Sequence, residues 1–142
     1  MTAANTGLVK NDSHHDFSKY SLLVSEDNET NRERIMTLLE PTKIKLDFSV
    51  NGVDAVEKFK ESPDKYDIIF MDIQMPEMDG YEATKSIRKS GADSAKIIPI
   101  IAMTADDIRD NLRKCHNCGM FTHIRKPFDY EEITEVLHAC LD

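Results

Sequence analysis

Five side chains able to do chemistry each follow closely on a strand-like segment. Glu26 and Asp27 follow Tyr20 to Val24, Asp72 follows Ile68 to Met71, Thr104 follows Ile100 to Met103, and Lys126 follows Phe121 to Arg125. If these segments lie side by side, three carboxylates, one hydroxyl and one ammonium group converge on a single sheet edge. Three carboxylates in a small site repel one another, because a nearby like charge disfavours ionisation, unless a cation offsets them. A hard divalent cation does so, and magnesium suits a site of few carboxylates that leaves room for waters and phosphate oxygens. Magnesium-assisted phosphoryl transfer is the chemistry such a set would support.

The elements that must bring these residues together are legible as an alternation. The short apolar run Tyr20 to Val24 is followed by Asn28 to Leu39, where Ile35, Leu38 and Leu39 have the i, i+3, i+4 spacing of an amphipathic helix. Ile44 to Val50 then reads as a strand, and Gly52 to Ser62 as a helix carrying Val53, Val56 and Phe59. Tyr66 to Met71 has four apolar residues in succession, as expected of a central parallel strand covered on both faces. Tyr81 to Ser90 follows as a helix, and Ile100 to Met103 as a fourth strand with Pro99 at its start, where a missing donor does least harm. Asp106 to Cys115 reads as a helix with Ile108, Leu112 and Cys115 on one side, Phe121 to Arg125 as a fifth strand, and Tyr130 to Leu141 as a closing helix. Five strands alternating with five helices predict an α/β fold, a parallel sheet with helices on both faces and right-handed crossovers. In such sheets ligands bind outside the carboxyl ends of the strands, where the five residues fall.

Composition narrows the class. A chain of 142 residues fits one domain on the prior of about 150 residues each. With 18 basic and 26 acidic residues the net charge is −8, which disfavours binding to nucleic acid phosphates. At 40% hydrophobic and 31% charged residues the composition is that of a globular domain, and no apolar run approaches the about 20 residues that span a bilayer. Met1 to Lys19 lack a secretory h-region and read as a flexible leader or linker, leaving 20–142 as the domain. Three cysteines without a disulfide framework fit a reducing, cytoplasmic compartment.

The run IIFMDIQMPEMDGYEA (Ile68 to Ala83), the turn Glu26-Asp27-Asn28, Met103-Thr104-Ala105 and Lys126-Pro127-Phe128 together resemble a response-regulator receiver domain of two-component phosphorelays. The resemblance covers about Tyr20 to Leu141. It implies a flavodoxin-like three-layer sandwich with strand order 2-1-3-4-5. It implies that Asp72 is the phosphoacceptor, a carboxylate nucleophile that attacks a phosphohistidine. Asp27 would be a direct Mg2+ ligand, Glu26 would act mainly through a water, and the Gln74 backbone carbonyl would supply a further oxygen. Lys126 would neutralise phosphoryl charge, and Lys126-Pro127 would be a cis peptide bond. Thr104 would be the switch hydroxyl. His123 stands where the family usually has tyrosine or phenylalanine, three residues before the lysine. Gln74 and Asp106 match the positions that tune how fast water removes the phosphoryl group.

The implied function is a signalling module rather than an enzyme, with at most self-phosphotransfer and self-dephosphorylation. Its partner would be a histidine kinase or a histidine phosphotransfer domain. The face of the fourth helix, fifth strand and fifth helix would switch and could form a homodimer. The chain ends one residue after the last helix, leaving an expectation of either a stand-alone receiver or the receiver portion of a hybrid kinase, with no DNA-binding segment.

Singly, these residues have plainer readings. Asp27 could be a helix N-cap with Glu26 adding favourable charge, Asp72 could begin a turn, and Thr104 and Lys126 could be ordinary loop residues. Their joint order at four strand ends favours the site. An aspartate-nucleophile phosphatase wants a second aspartate two residues after the first, and Gln74 stands there. A flavin or dinucleotide carrier wants a glycine- or hydroxyl-rich loop after the first strand, where SEDNETN is acidic. A receiver used only as an interaction surface is the remaining alternative, though it need not keep all five residues. Cys115, Cys118 and Cys140 read as core residues rather than a zinc site, which needs four ligands. His14 and His15 read as solvated.

Overall fold

The computed structural model describes residues 15–105 and 112–142. Five parallel strands form one sheet: β1 (Ser21–Ser25), β2 (Lys45–Ser49), β3 (Ile68–Asp72), β4 (Ile100–Thr104) and β5 (Thr122–Arg125), in the order β2-β1-β3-β4-β5. The helices are α1 (Glu29–Leu39), α2 (Gly52–Glu61), α3 (Gly80–Arg88), α4 (Leu112–Cys118) and α5 (Tyr130–Leu141). A single turn, Ser94–Ile97, makes a sixth helix that the periodicity did not announce, since four residues are too few to show it. This is the expected flavodoxin-like order 2-1-3-4-5, with helix and strand ends shifted by a residue or two, except that α4 runs three residues past its expected end at Cys115 and its expected start lies outside the described residues.

Side-chain alternation along the strands builds two cores. On one face Leu23, Ile69, Met71, Ile100 and Ala102 pack against Val56 and Phe59 of α2, Ala83 and Ile87 of α3, and Cys115 and Cys118 of α4. On the other, Leu22, Val24, Ile68, Phe70, Ile101, Met103 and Ile124 meet Ile35 and Leu39 of α1 and Ile133 and Leu137 of α5. Every residue of β3 is buried, which is why Ile68 to Met71 are apolar in succession rather than alternating, with the buried Asp72 at the strand's end.

Several expectations are corrected. Val53 and Leu112 are exposed, and the buried stripe of α4 is Cys115 with Cys118. Phe17, read as part of the leader, is packed onto the domain: it is 1% exposed, lies in the second core, and its N–H donates to Thr42 O at 2.7 Å. His15 is not solvated. Its Nδ1 lies 2.9 Å from His138 Nε2, and its ring stands edge-on to Tyr130. His138 Nδ1 in turn pairs with Asp142, and the Tyr20 hydroxyl donates to Leu141 O at 2.8 Å, so the entering segment is fastened to α5. His14, Asp106 and Ile108 lie outside the described residues.

Candidate functional site

The carboxyl ends of β1 and β3 are adjacent in the sheet, with Ser25 opposite Met71, and this register brings Glu26 and Asp27 to Asp72. The local sequence holds the β1 turn in place. Asn28, rather than Asp27, caps α1 by accepting from Asn31 N at 2.9 Å, which leaves the exposed Asp27 free of a capping role. Asn28 N donates to Glu26 Oε2 at 3.1 Å, and Arg32 of α1 donates to the Glu26 carbonyl at 2.6 Å. After β3 the chain turns tightly into α3, whose capping box pairs Asp79 with Glu82. Gly80 is required there: a Cβ would stand 2.3 Å from Asp72 O, so only glycine lets the start of α3 approach the end of β3 this closely.

Asp72 is 3% exposed and Glu26 fully buried. Lys126, directly after β5 and joined to Pro127 by a cis peptide, places Nζ 3.0 Å from both Asp72 Oδ2 and Glu26 Oε1. Gln74 N donates to Asp72 Oδ1 at 3.0 Å. Burial and then the Glu26 charge push the Asp72 carboxyl up to about 6, against the opposing pull of Lys126. Lys126 itself is raised: burial disfavours its charge, but two carboxylates flank one ammonium and prevail. The cluster therefore carries more negative charge than its one cation offsets.

Ligand oxygens of Glu26, Asp27 and Asp72 lie within 4.8 Å of one another, and among the described residues this is the one group of three or more histidines, cysteines or acids able to hold a metal. The donors are all oxygens, as a hard divalent cation requires. The buried Glu26 Oε1 has Lys126 as an ion-pair partner but no well-directed hydrogen bond, so it retains a lone pair for a cation or its water. The residues present thus fit magnesium.

Thr104, buried at the end of β4, is joined to the β5 end by Lys126 N donating to its carbonyl at 2.8 Å. His123 lies half-buried on β5, in register with Ala102. Asp106 lies outside the described residues. The C-x-x-C pair is core: Cys115 and Cys118 are buried free thiols, and burial pushes both up from the ordinary thiol range, away from thiolate chemistry. Sequence reasoning missed Arg32, because one basic residue on an amphipathic helix carries no signal of its target.

Residues 22–138 match the response regulator receiver domain family. The chain belongs to that family. It is a receiver domain of two-component phosphorelays, similar to hybrid signal transduction histidine kinase L of Dictyostelium discoideum (36% identity over 118 residues, 82% of this chain and 7% of that protein). It also resembles probable histidine kinase 4 of Oryza sativa subsp. japonica (34% over 139 residues, 85% and 14%). This receiver thus spans only a small part of these curated relatives. The receiver domain of a sensor histidine kinase of Pseudomonas aeruginosa PAO1, solved with a magnesium ion coordinated in its active site cleft, superposes with a TM-score of 0.76 at 30% identity, over 85% of this chain and 96% of that one. Chemotaxis protein CheY4 of Vibrio cholerae shares the fold, with a TM-score of 0.78 at 23% identity over 86% and 98%.

Proposed function

We propose that this receiver takes a phosphoryl group from the phosphohistidine of a histidine kinase or histidine phosphotransfer domain onto Asp72. The observation that carries the reading is the buried Asp72 carboxylate, held by Lys126 on one oxygen and by Gln74 N–H on the other, beside two further carboxylates. An Asp72 oxygen attacks phosphorus in line with the leaving nitrogen. The O–P bond forms as the P–N bond breaks, and the electron pair leaves on the histidine nitrogen. Lys126 stabilises charge on the transferring oxygens, and the fixed Gln74 N–H orients the carboxylate. Asp27, Asp72 and the Gln74 carbonyl would hold Mg2+ directly and Glu26 through a water. Bound there, the ion would neutralise phosphoryl charge.

Thr104 then turns toward the new group and reshapes the face of α4, β5 and α5, with His123 as the ring that follows it. That face would engage a second copy of the chain or another partner. Gln74 and Asp106 set how readily water reaches phosphorus, so the chemistry is limited to self-phosphotransfer and self-dephosphorylation. Among the described residues no helix is long and apolar enough to cross a membrane, and the free cysteines suit the cytoplasm.

The deciding measurement is intact mass after incubation with acetyl phosphate and magnesium. One hydroxylamine-labile phosphoryl adduct is expected, absent from Asp72→Asn and from metal-free protein. Absence of the adduct from wild type, together with no response to beryllofluoride, would favour an interaction-only receiver.

A further inference from the structure

A cleft of about 490 Å3 opens beside the acceptor, walled by Gln74 and Asp79 of the β3–α3 turn, Tyr81 of α3, Thr104 of β4 and Lys114 of α4. Its polar walls include Gln74, whose N–H donates to Asp72, and Thr104, the switch hydroxyl of the proposed chemistry, and Lys114 is the cation among the described residues lining it. Lys114 is exposed and rests with Nζ 5.5 Å from the centroid of the Tyr81 ring. A cation over a ring face at an exposed site is held weakly, and an anionic phosphoryl oxygen is the stronger partner for it. Lys126, the other cation beside Asp72, rests with its ammonium between Glu26 Oε1 and Asp72 Oδ2.

We propose that Lys114 is a second phosphoryl-binding cation, parked on Tyr81 in the resting protein and drawn into the cleft when a phosphoryl group occupies Asp72. The inference rests on Asp72 being the acceptor. Nothing covalent changes at Lys114: its Nζ exchanges a ring face for an ionic hydrogen bond to a phosphoryl oxygen. Because Lys114 belongs to α4, the contact ties that helix to the loaded site independently of Thr104.

The test uses beryllofluoride as the phosphoryl stand-in and compares wild type, Lys114→Ala, Lys114→Arg and Asp72→Asn. Lys114→Ala is expected to weaken beryllofluoride binding about three- to tenfold, with the difference shrinking as salt is raised. Lys114→Arg restores most of it, and magnesium affinity measured without beryllofluoride stays unchanged in both Lys114 variants. Equal beryllofluoride affinity in wild type and Lys114→Ala would overturn the proposal. So would a parallel loss of magnesium affinity or thermal stability, which marks a structural role. No beryllofluoride binding by wild type, as by Asp72→Asn, would overturn the acceptor reading and this inference with it.

Discussion

Two lysine–carboxylate clusters on this sheet use the same groups to opposite ends. At the carboxyl edge, Lys126 lies 3.0 Å from two buried carboxylates. At the edge strand β2, the partly buried Asp47 lies 3.2 Å from Lys65, which precedes β3, and also accepts from the Tyr66 hydroxyl at 2.5 Å. Asp47 is lowered from the usual carboxylate range: partial burial works against its charge, but the Tyr66 hydroxyl and Lys65 outweigh it. Asp72 is raised, because burial and the Glu26 charge outweigh Lys126. The surface cluster is satisfied and contributes to stability. The buried one is short of positive charge, which costs stability and leaves the site disposed to take up a cation.

Breaking the buried cluster should have the largest effect. Lys126→Met strands two buried carboxylates and should lower unfolding free energy by about 3 kcal/mol in urea titrations with chelator present. A loss below about 1 kcal/mol would mean that the carboxylates shed their charge by protonation instead. Asp72→Asn should act in the opposite direction. A folded-state pKa of about 6 lies above the unfolded value, so the ionised carboxylate opposes folding at pH 7 and its neutral isostere should gain about 2 kcal/mol without metal. With metal absent, wild type should therefore gain stability as pH falls from above 6 toward 4, where the folded state binds the extra proton. A metal-free stability that is flat through that window would remove the charge imbalance from the account.

At the surface cluster, Tyr66→Phe should cost about 1 kcal/mol at neutral pH. Because Asp47 is depressed in the folded state, its contribution is present above the unfolded value and disappears as pH falls through the folded one, so the variant and wild type should converge in acid unfolding below about pH 4. Lys65→Ala should change stability by less than about 0.5 kcal/mol and lose even that in high salt, since the Lys65 side chain is 55% exposed. A Lys65 effect as large as that of Lys126 would end the contrast between the two clusters.

The hydrophobic periodicities of α2, α3 and α5 and the unbroken apolar run of β3 specified their elements, because a buried face leaves its spacing in the residues. The motif around Asp72 was legible for a related reason: Asp72, Asp79 and Gly80 serve a strand end, a helix cap and a close backbone approach within one short run. Phe17 was not legible. A single aromatic in a polar stretch has no period, and its burial depends on α1 and α5 leaving a gap it can fill. The His15, His138 and Asp142 seam joins the two ends of the described chain and likewise leaves no local trace.

By itself the sequence determined the alternation of strands and helices and the residue types at each strand end, since both follow from local patterning. The tertiary structure alone decided that Lys126 lies between Glu26 and Asp72, that Arg32 anchors the β1 turn, and that Lys114 shares a cleft with Thr104. Those relations depend on strand order and on burial, and the Asp72 shift depends on a charge 46 residues away in the chain. Distances of this kind exist only once the sheet has closed.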